Sequence, residues 1–161
     1  MQAVTELSQI LNWRRVSPRI TTSGQPSEAE LGEIRALGVS HILNLGPHDS
    51  KGALADEPGT VAALGMAYSH IPVHFDVPTD ADFAAFKRVL VRLPDARIHV
   101  HCLYNARVSA FFYRLACEEQ NDPDLAFARM ESIWRPGADW AEFLSYPKAQ
   151  GQPNRYKGED Y

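Results

Sequence analysis

Residues 98–112 read IHVHCLYNARVSAFF, and few folds accommodate such a run. Ile98 and Val100 alternate with His99 and His101, the period of a short strand with two unlike faces. From Val108 onward, VSAFFYRLACEEQ places Phe111, Phe112, Leu115 and Ala116 at helical spacing. Between strand and helix lies a tight loop that opens on Cys102 and closes on Arg107. Such a loop aims its backbone N–H groups at one point, where the helix dipole also favours negative charge. A thiolate at Cys102 is favoured by that dipole and by Arg107. The loop therefore suits an oxyanion held against an activated sulfur nucleophile.

The rest of the chain alternates in the same way. Ser27 and Glu30 form a capping-box pattern ahead of Leu31, Ile34 and Leu37, with Gly38 as a left-handed stop. His41–Leu45 and Met66–Ile71 read as strands, and a short helix is expected over 60–65. The turn-rich loop between them, GPHDSKGALADEPG, is expected near the ligand crevice. Thr79, with Asp82 three residues later, opens a helix whose stripe is Phe83, Phe86, Val89, Leu90 and Leu93 and which Pro94 ends. Asn121 is expected to close the 108–120 helix, Asp122-Pro123 to start another through Ile133, and 139–144 to form a last short one. Trp13, Val16 and Ile20 can cover one edge of a core. The pattern predicts an α/β fold, a mostly parallel central sheet flanked by helices. One domain is expected over 1–147, followed by a loosely held polar tail, 148–161.

Composition narrows the function classes. At 161 residues and 45% hydrophobic, the chain can bury a real core. A net charge of −4 without a Lys/Arg run argues against nucleic acid and anionic membranes as partners. No apolar run is long enough to span a bilayer, and Met1–Ile10 lacks the pattern of a signal peptide. Two cysteines make no disulfide framework, and a reactive thiol suits a reducing compartment, so the cytoplasm is expected. Cys117, in the body of the helix, reads as structural. The histidines show no metal-ligand spacing, and no metal or cofactor is expected.

The loop resembles the signature of the cysteine-dependent phosphatases of the tyrosine and dual-specificity superfamily, in which His-Cys is followed by five residues, Arg, then Ser or Thr. Here four residues, Leu103, Tyr104, Asn105 and Ala106, separate Cys102 from Arg107. Ser109 still stands seven after the cysteine, where the motif has its hydroxyl. Asn105 occupies a place where glycine is common, and Asn tolerates a left-handed backbone. The short spacer resembles that of a bacterial group of eukaryote-like phosphatases, as does TSGQP at 22–26 followed by a helix and Gly38-Val39. Rhodanese sulfurtransferases share the spacer length.

The resemblance implies a phosphoric monoester hydrolase working through a cysteinyl-phosphate. Cys102 would be the nucleophile. Arg107 and the amides of Leu103, Tyr104, Asn105, Ala106, Arg107 and Val108 would bind the phosphoryl oxygens. His101 would hydrogen-bond the loop backbone, and Ser109 would assist the thiolate or cap the helix. The family's general acid is an aspartate on a loop before the cysteine strand. Asp76, Asp80 and Asp82 qualify; Asp80 and Asp82 read as first-turn helix acids, and Asp76 is preferred on the expectation of burial. The substrate would be a phosphorylated protein or a small phosphate ester. Two alternatives stay open: a sulfurtransferase with a Cys102 persulfide, and a module that binds phosphorylated partners without hydrolysis. NRYKGEDY in the tail is similar to a phosphotyrosine-recognition motif but stands at the wrong end of the chain.

Overall fold

The computed structural model describes residues 5–119 and 122–149. Among them, strands and helices follow in the order β1 (Arg14–Arg15), β2 (Ile20–Ser23), α1 (Glu28–Ala36), β3 (His41–Asn44), α2 (Glu57–Ala63), β4 (Ala67–His70), α3 (Asp80–Arg92), β5 (Ile98–His101), α4 (Ala106–Glu118), α5 (Pro123–Glu131) and α6 (Ala138–Leu144). The sheet runs β1-β2-β5-β3-β4. β2, β5, β3 and β4 are parallel, and β1 pairs antiparallel with β2. The expected mostly parallel sheet is therefore present, with the cysteine strand at its centre.

Two apolar clusters sandwich the sheet. One packs Leu31 and Ile34 of α1 and Val61 of α2 against Ile42 and Trp13. The other packs Phe83, Phe86 and Leu90 of α3 and residues of α4, α5 and α6 against Leu43, Ile98 and Val100. This explains the alternation in β5: Ile98 and Val100 enter the second cluster, while His99 and His101 face the α1–α2 side. Edge-to-face rings lock α3 onto α4, with Phe83 5.4 Å from Phe111 and Phe86 5.1 Å from Phe112. Truncating one such buried ring to alanine costs ~3–5 kcal/mol.

The local signals for α1 and α3 hold. Ser27 Oγ accepts from the Glu30 N–H while Glu30 Oε1 accepts from the Ser27 N–H, and Gly38 takes a φ of 93°. Thr79 Oγ1 caps α3 by accepting from the Asp82 N–H. Several expectations need correction. β1 and β2 were not anticipated, because Ile20-Thr21-Thr22-Ser23 has no apolar alternation, yet all four residues are buried. The helix expected over 60–65 begins at Glu57: Asp56 caps it through Gly59 N–H, and Pro58 fits its first turn, where no N–H donor is needed. α4 begins at Ala106, two residues before the apolar stripe. Cys117 is exposed and so is not part of the core. Lys148, expected in a loose tail, reaches Glu131 Oε1 at 3.2 Å and lies 3.8 Å from the centre of the Phe127 ring. Asn121 and the tail from 150 lie outside the described residues. Among the described residues, no helix is long and apolar enough to cross a membrane.

Candidate active site

Parallel strands bring their C-terminal ends to one edge, the usual place for a ligand crevice in an α/β sheet. β5 ends there on His101, and Cys102 follows directly. The two histidines of β5 are buried and fully bonded. Ser23 Oγ donates to the Gly24 carbonyl (2.7 Å), so it accepts from His99 Nε2–H (2.8 Å), and Thr21 Oγ1 donates to His99 Nδ1 (2.8 Å). Stacked on Trp13 at 5.2 Å and fully buried, His99 is held neutral, with its pKa well below the ordinary range through desolvation. His101 contacts the Cys102 carbonyl through Nδ1 (3.1 Å) and Glu57 Oε2 through Nε2 (2.6 Å). The expected bond from His101 to the loop backbone is thus present.

The loop turns on Asn105, whose φ of 75° is the left-handed conformation anticipated at this position. Asn105 Nδ2 donates to the Asn12 carbonyl (2.8 Å) and to Thr22 Oγ1 (3.0 Å). The loop carbonyls are all taken up. The Cys102 carbonyl meets His101 Nδ1, that of Leu103 accepts from Gln25 N–H (3.0 Å), and that of Tyr104 from Asn12 Nδ2 (2.9 Å). The Asn105 carbonyl accepts from Ser109 N–H, and the Ala106 carbonyl from Ser109 Oγ (both 3.0 Å). In a trans peptide the C=O and the following N–H point in opposite directions. Outward carbonyls at 102, 103 and 104 therefore turn the N–H groups of Leu103, Tyr104 and Asn105 the other way, toward the inside of the loop.

Cys102 and Arg107 are fully buried. Arg107 stands in the first turn of α4, donates through Nη1 to the Val73 carbonyl (2.8 Å), and lies 5.8 Å from the centre of the Phe75 ring. The same segment is fixed by Trp140 Nε1, which donates to the Phe75 carbonyl (2.7 Å). Asp76 follows Phe75 immediately, so the segment that packs on Arg107 carries it. The burial expected for Asp76 is not found: it is exposed. Asp80 is also exposed and pairs with Arg114 Nη1 at 2.9 Å, and Asp82 sits in the first turn of α3.

Several site residues escaped the sequence reading. Glu57 is buried, and Gln25 Nε2 donates to its Oε1 (2.8 Å). Burial pushes its pKa up, but hydrogen bonds and charge from His101, together with the Gln25 bond, outweigh this and hold it below the usual carboxylate range. Asn12, with a φ of 51°, closes the loop from the N-terminal side. Gly24 packs so tightly that a Cβ there would stand 2.7 Å from the Leu103 carbonyl oxygen. A Cβ on Gly46 would lie 3.7 Å from Cys102 Cα. TSGQP was a visible signal for part of this set, since Thr22, Ser23, Gly24 and Gln25 all contact the cysteine strand or its loop. Asn12 and Glu57 had no such signal.

A central mostly parallel sheet, helices on both faces and a cysteine loop running into a buried helix start make up the cysteine-phosphatase fold. A candidate phosphatase of the DUF442 group from Shewanella putrefaciens CN-32 superposes with a TM-score of 0.75 at 29% identity, over 90% of this chain and 96% of that one. The core catalytic domain of the PP-IP phosphatase SIW14 from S. cerevisiae shares the fold, with a TM-score of 0.70 at 13% identity over 88% and 90% of the two chains. The beta-lactamase hydrolase-like protein of Agrobacterium fabrum is 28% identical over 101 residues, 61% of this chain. This chain spans only 23% of that protein's length. No protein-family model matches the chain. What the chain shares with these solved structures is the cysteine-phosphatase fold.

Proposed function

We propose that the chain is a phosphoric monoester hydrolase of the tyrosine or dual-specificity type, acting through a cysteinyl-phosphate on Cys102. The observation that carries this reading is the outward bonding of the loop carbonyls, which turns the amides of Leu103, Tyr104 and Asn105 inward ahead of a helix N-terminus that carries Arg107. Cys102 Sγ attacks phosphorus, and the bond to the leaving oxygen breaks. Arg107 and the amides of 103–108 hold the equatorial oxygens, with the guanidinium fork gripping two of them. Asp76, carried on the segment that packs on Arg107, gives its proton to the leaving oxygen. It then takes one from the water that attacks phosphorus, breaking the S–P bond and restoring the thiolate. Ser109 Oγ, bound to the Ala106 carbonyl, steadies the first turn of α4 during that return. The substrate is a phosphorylated protein or a small phosphate ester, and a reducing compartment such as the cytoplasm suits the thiol.

A second reading, sulfur transfer through a Cys102 persulfide, draws on the four-residue spacer and on the exposure of Asp76 and Asp80. A sulfur acceptor needs no leaving-group acid. Cys102→Ser separates catalysis from binding: it should abolish hydrolysis of an aryl phosphate while vanadate still binds. Hydrolysis at the wild-type rate would refute Cys102 as the nucleophile. Asp76→Asn should slow alkyl phosphates far more than nitrophenyl phosphate, whose leaving group departs without a proton. The same pattern from Asp80→Asn would move the acid to the start of α3.

A further inference from the structure

We infer that Glu57 is a positioning residue that keeps both ring nitrogens of His101 protonated, so that an imidazolium polarises the first amide of the anion loop. The inference rests on Cys102 being the nucleophile, whichever group it accepts. Donor counting carries it. A carbonyl oxygen only accepts, so the 3.1 Å contact between His101 Nδ1 and the Cys102 carbonyl requires a proton on Nδ1. Glu57 Oε2 lies 2.6 Å from Nε2. An ionised carboxylate also only accepts, which puts the second proton on Nε2.

The surroundings favour the ionised carboxylate. Gln25 Nε2 donates to its other oxygen at 2.8 Å, beside the bond from His101. A carboxylate bound by several donors is stabilised as the anion. The other titratable groups near the pair come from every neighbouring element. His99 stands on the same strand, its ring centre 6.4 Å from that of His101. His70 on β4 feels the charge of His101, and His48 in the β3–α2 loop that of Glu57. Of these groups only Glu57 is an acid in hydrogen-bond contact with His101. Its removal therefore leaves neighbours that disfavour a second ring proton.

The effect reaches the anion site through one peptide. The carbonyl of the 102–103 peptide receives the His101 proton, and its N–H points the other way, into the loop. A charged donor on one end of a peptide strengthens the donor at the other. The same positive ring beside Cys102 favours its thiolate.

Glu57→Gln tests this with little change of shape. Its amide can donate to an unprotonated Nε2 while its oxygen still accepts from Gln25, so every bond survives with a neutral ring. Nitrogen-15 correlation spectra of the imidazole side chains should show His101 with two protonated nitrogens in the wild type at neutral pH, and with one in Glu57→Gln. In a Cys117→Ser background, alkylation of Cys102 by iodoacetamide at mildly acidic pH should slow about tenfold in Glu57→Gln. A neutral His101 ring in the wild type overturns the proposal, and that spectrum decides even where the variant does not fold. A doubly protonated ring in both proteins, or unchanged alkylation, overturns the role of Glu57. Neither readout involves phosphate ester hydrolysis, so failure here is distinct from failure of the phosphatase reading.

Discussion

Asn12 and Asn105 hold one another across the mouth of the fold. Asn105 Nδ2 donates to the Asn12 carbonyl at 2.8 Å, and Asn12 Nδ2 donates to the carbonyl of Tyr104, next to Asn105, at 2.9 Å. Both residues adopt a positive φ, which Asn tolerates better than most side chains. Asn12→Asp keeps the shape but sets a carboxylate against the Tyr104 carbonyl. Losing that bond costs ~1–2 kcal/mol of loop order, so phosphate affinity and kcat/KM should fall about tenfold. Asn12→Gly, which removes the donor without the repulsion, should fall less. Equal affinity in all three proteins, measured by calorimetry with phosphate, would show that the N-terminal segment does not shape the loop.

Gly24 offers a sharper probe, because its obstacle is backbone. Gly24→Ala sets a methyl group 2.7 Å from the Leu103 carbonyl oxygen and 2.8 Å from Leu11 Cδ2. Leu11 can move aside; the carbonyl can move only with the loop. Overpacking of this kind costs ~1–3 kcal/mol. The variant should stay folded by circular dichroism and lose at least tenfold in turnover. Full activity would mean that the 102–107 loop tolerates a shift at Leu103.

Arg107→Lys keeps the charge and loses the planar fork. The guanidinium reaches the Val73 carbonyl with one nitrogen, and the proposed mechanism needs the rest of the fork for phosphoryl oxygens. Turnover should drop by about 10² or more, as when a donor to transition-state charge is removed. Activity within a factor of two of wild type would place Arg107 outside the anion site.

Stability should depend on pH through His99. Burial holds its folded-state pKa well below the ordinary 6.5. Protonation therefore favours the unfolded chain: the native state keeps its full margin above about pH 6.5 and loses it as pH falls from there toward the folded-state value. His41 and His70 are shifted the same way by burial and add to the slope. Glu57 acts at lower pH, since its depressed pKa means that its contribution is lost as pH falls below about 4.5. Urea unfolding at pH 8 and pH 5 should show the first loss in the wild type and a smaller one in His99→Gln. An equal difference in the two proteins would contradict it.

How far the sequence could be read follows from where the information lay. β5, its loop and α4 were legible because strand period, helix period and a Cys–Arg spacing meet in fifteen residues. Asn105 was legible because few side chains accept its backbone conformation. β2 was not: Thr21, Thr22 and Ser23 are polar, and they can be buried only because His99, Asn105 and the Gly24 carbonyl satisfy their hydroxyls. Those partners are 76 to 83 residues away for the first two, so no local window contains the pairing. Glu57 was hidden in the same way, in a stretch whose Pro and Gly read as a turn. The burial expected of Asp76 failed because Phe75 alone of that pair turns into the core.

The central claim is that Cys102 takes a phosphoryl group. The direct measurement is mass spectrometry of the acid-quenched protein after brief incubation with a nitrophenyl phosphate and, separately, with thiosulfate. The account predicts one added phosphoryl group on the peptide containing Cys102, absent from Cys102→Ser and from Arg107→Lys, with no added sulfur after thiosulfate. A Cys102 peptide that gains sulfur from thiosulfate and no phosphoryl group from the ester would contradict it.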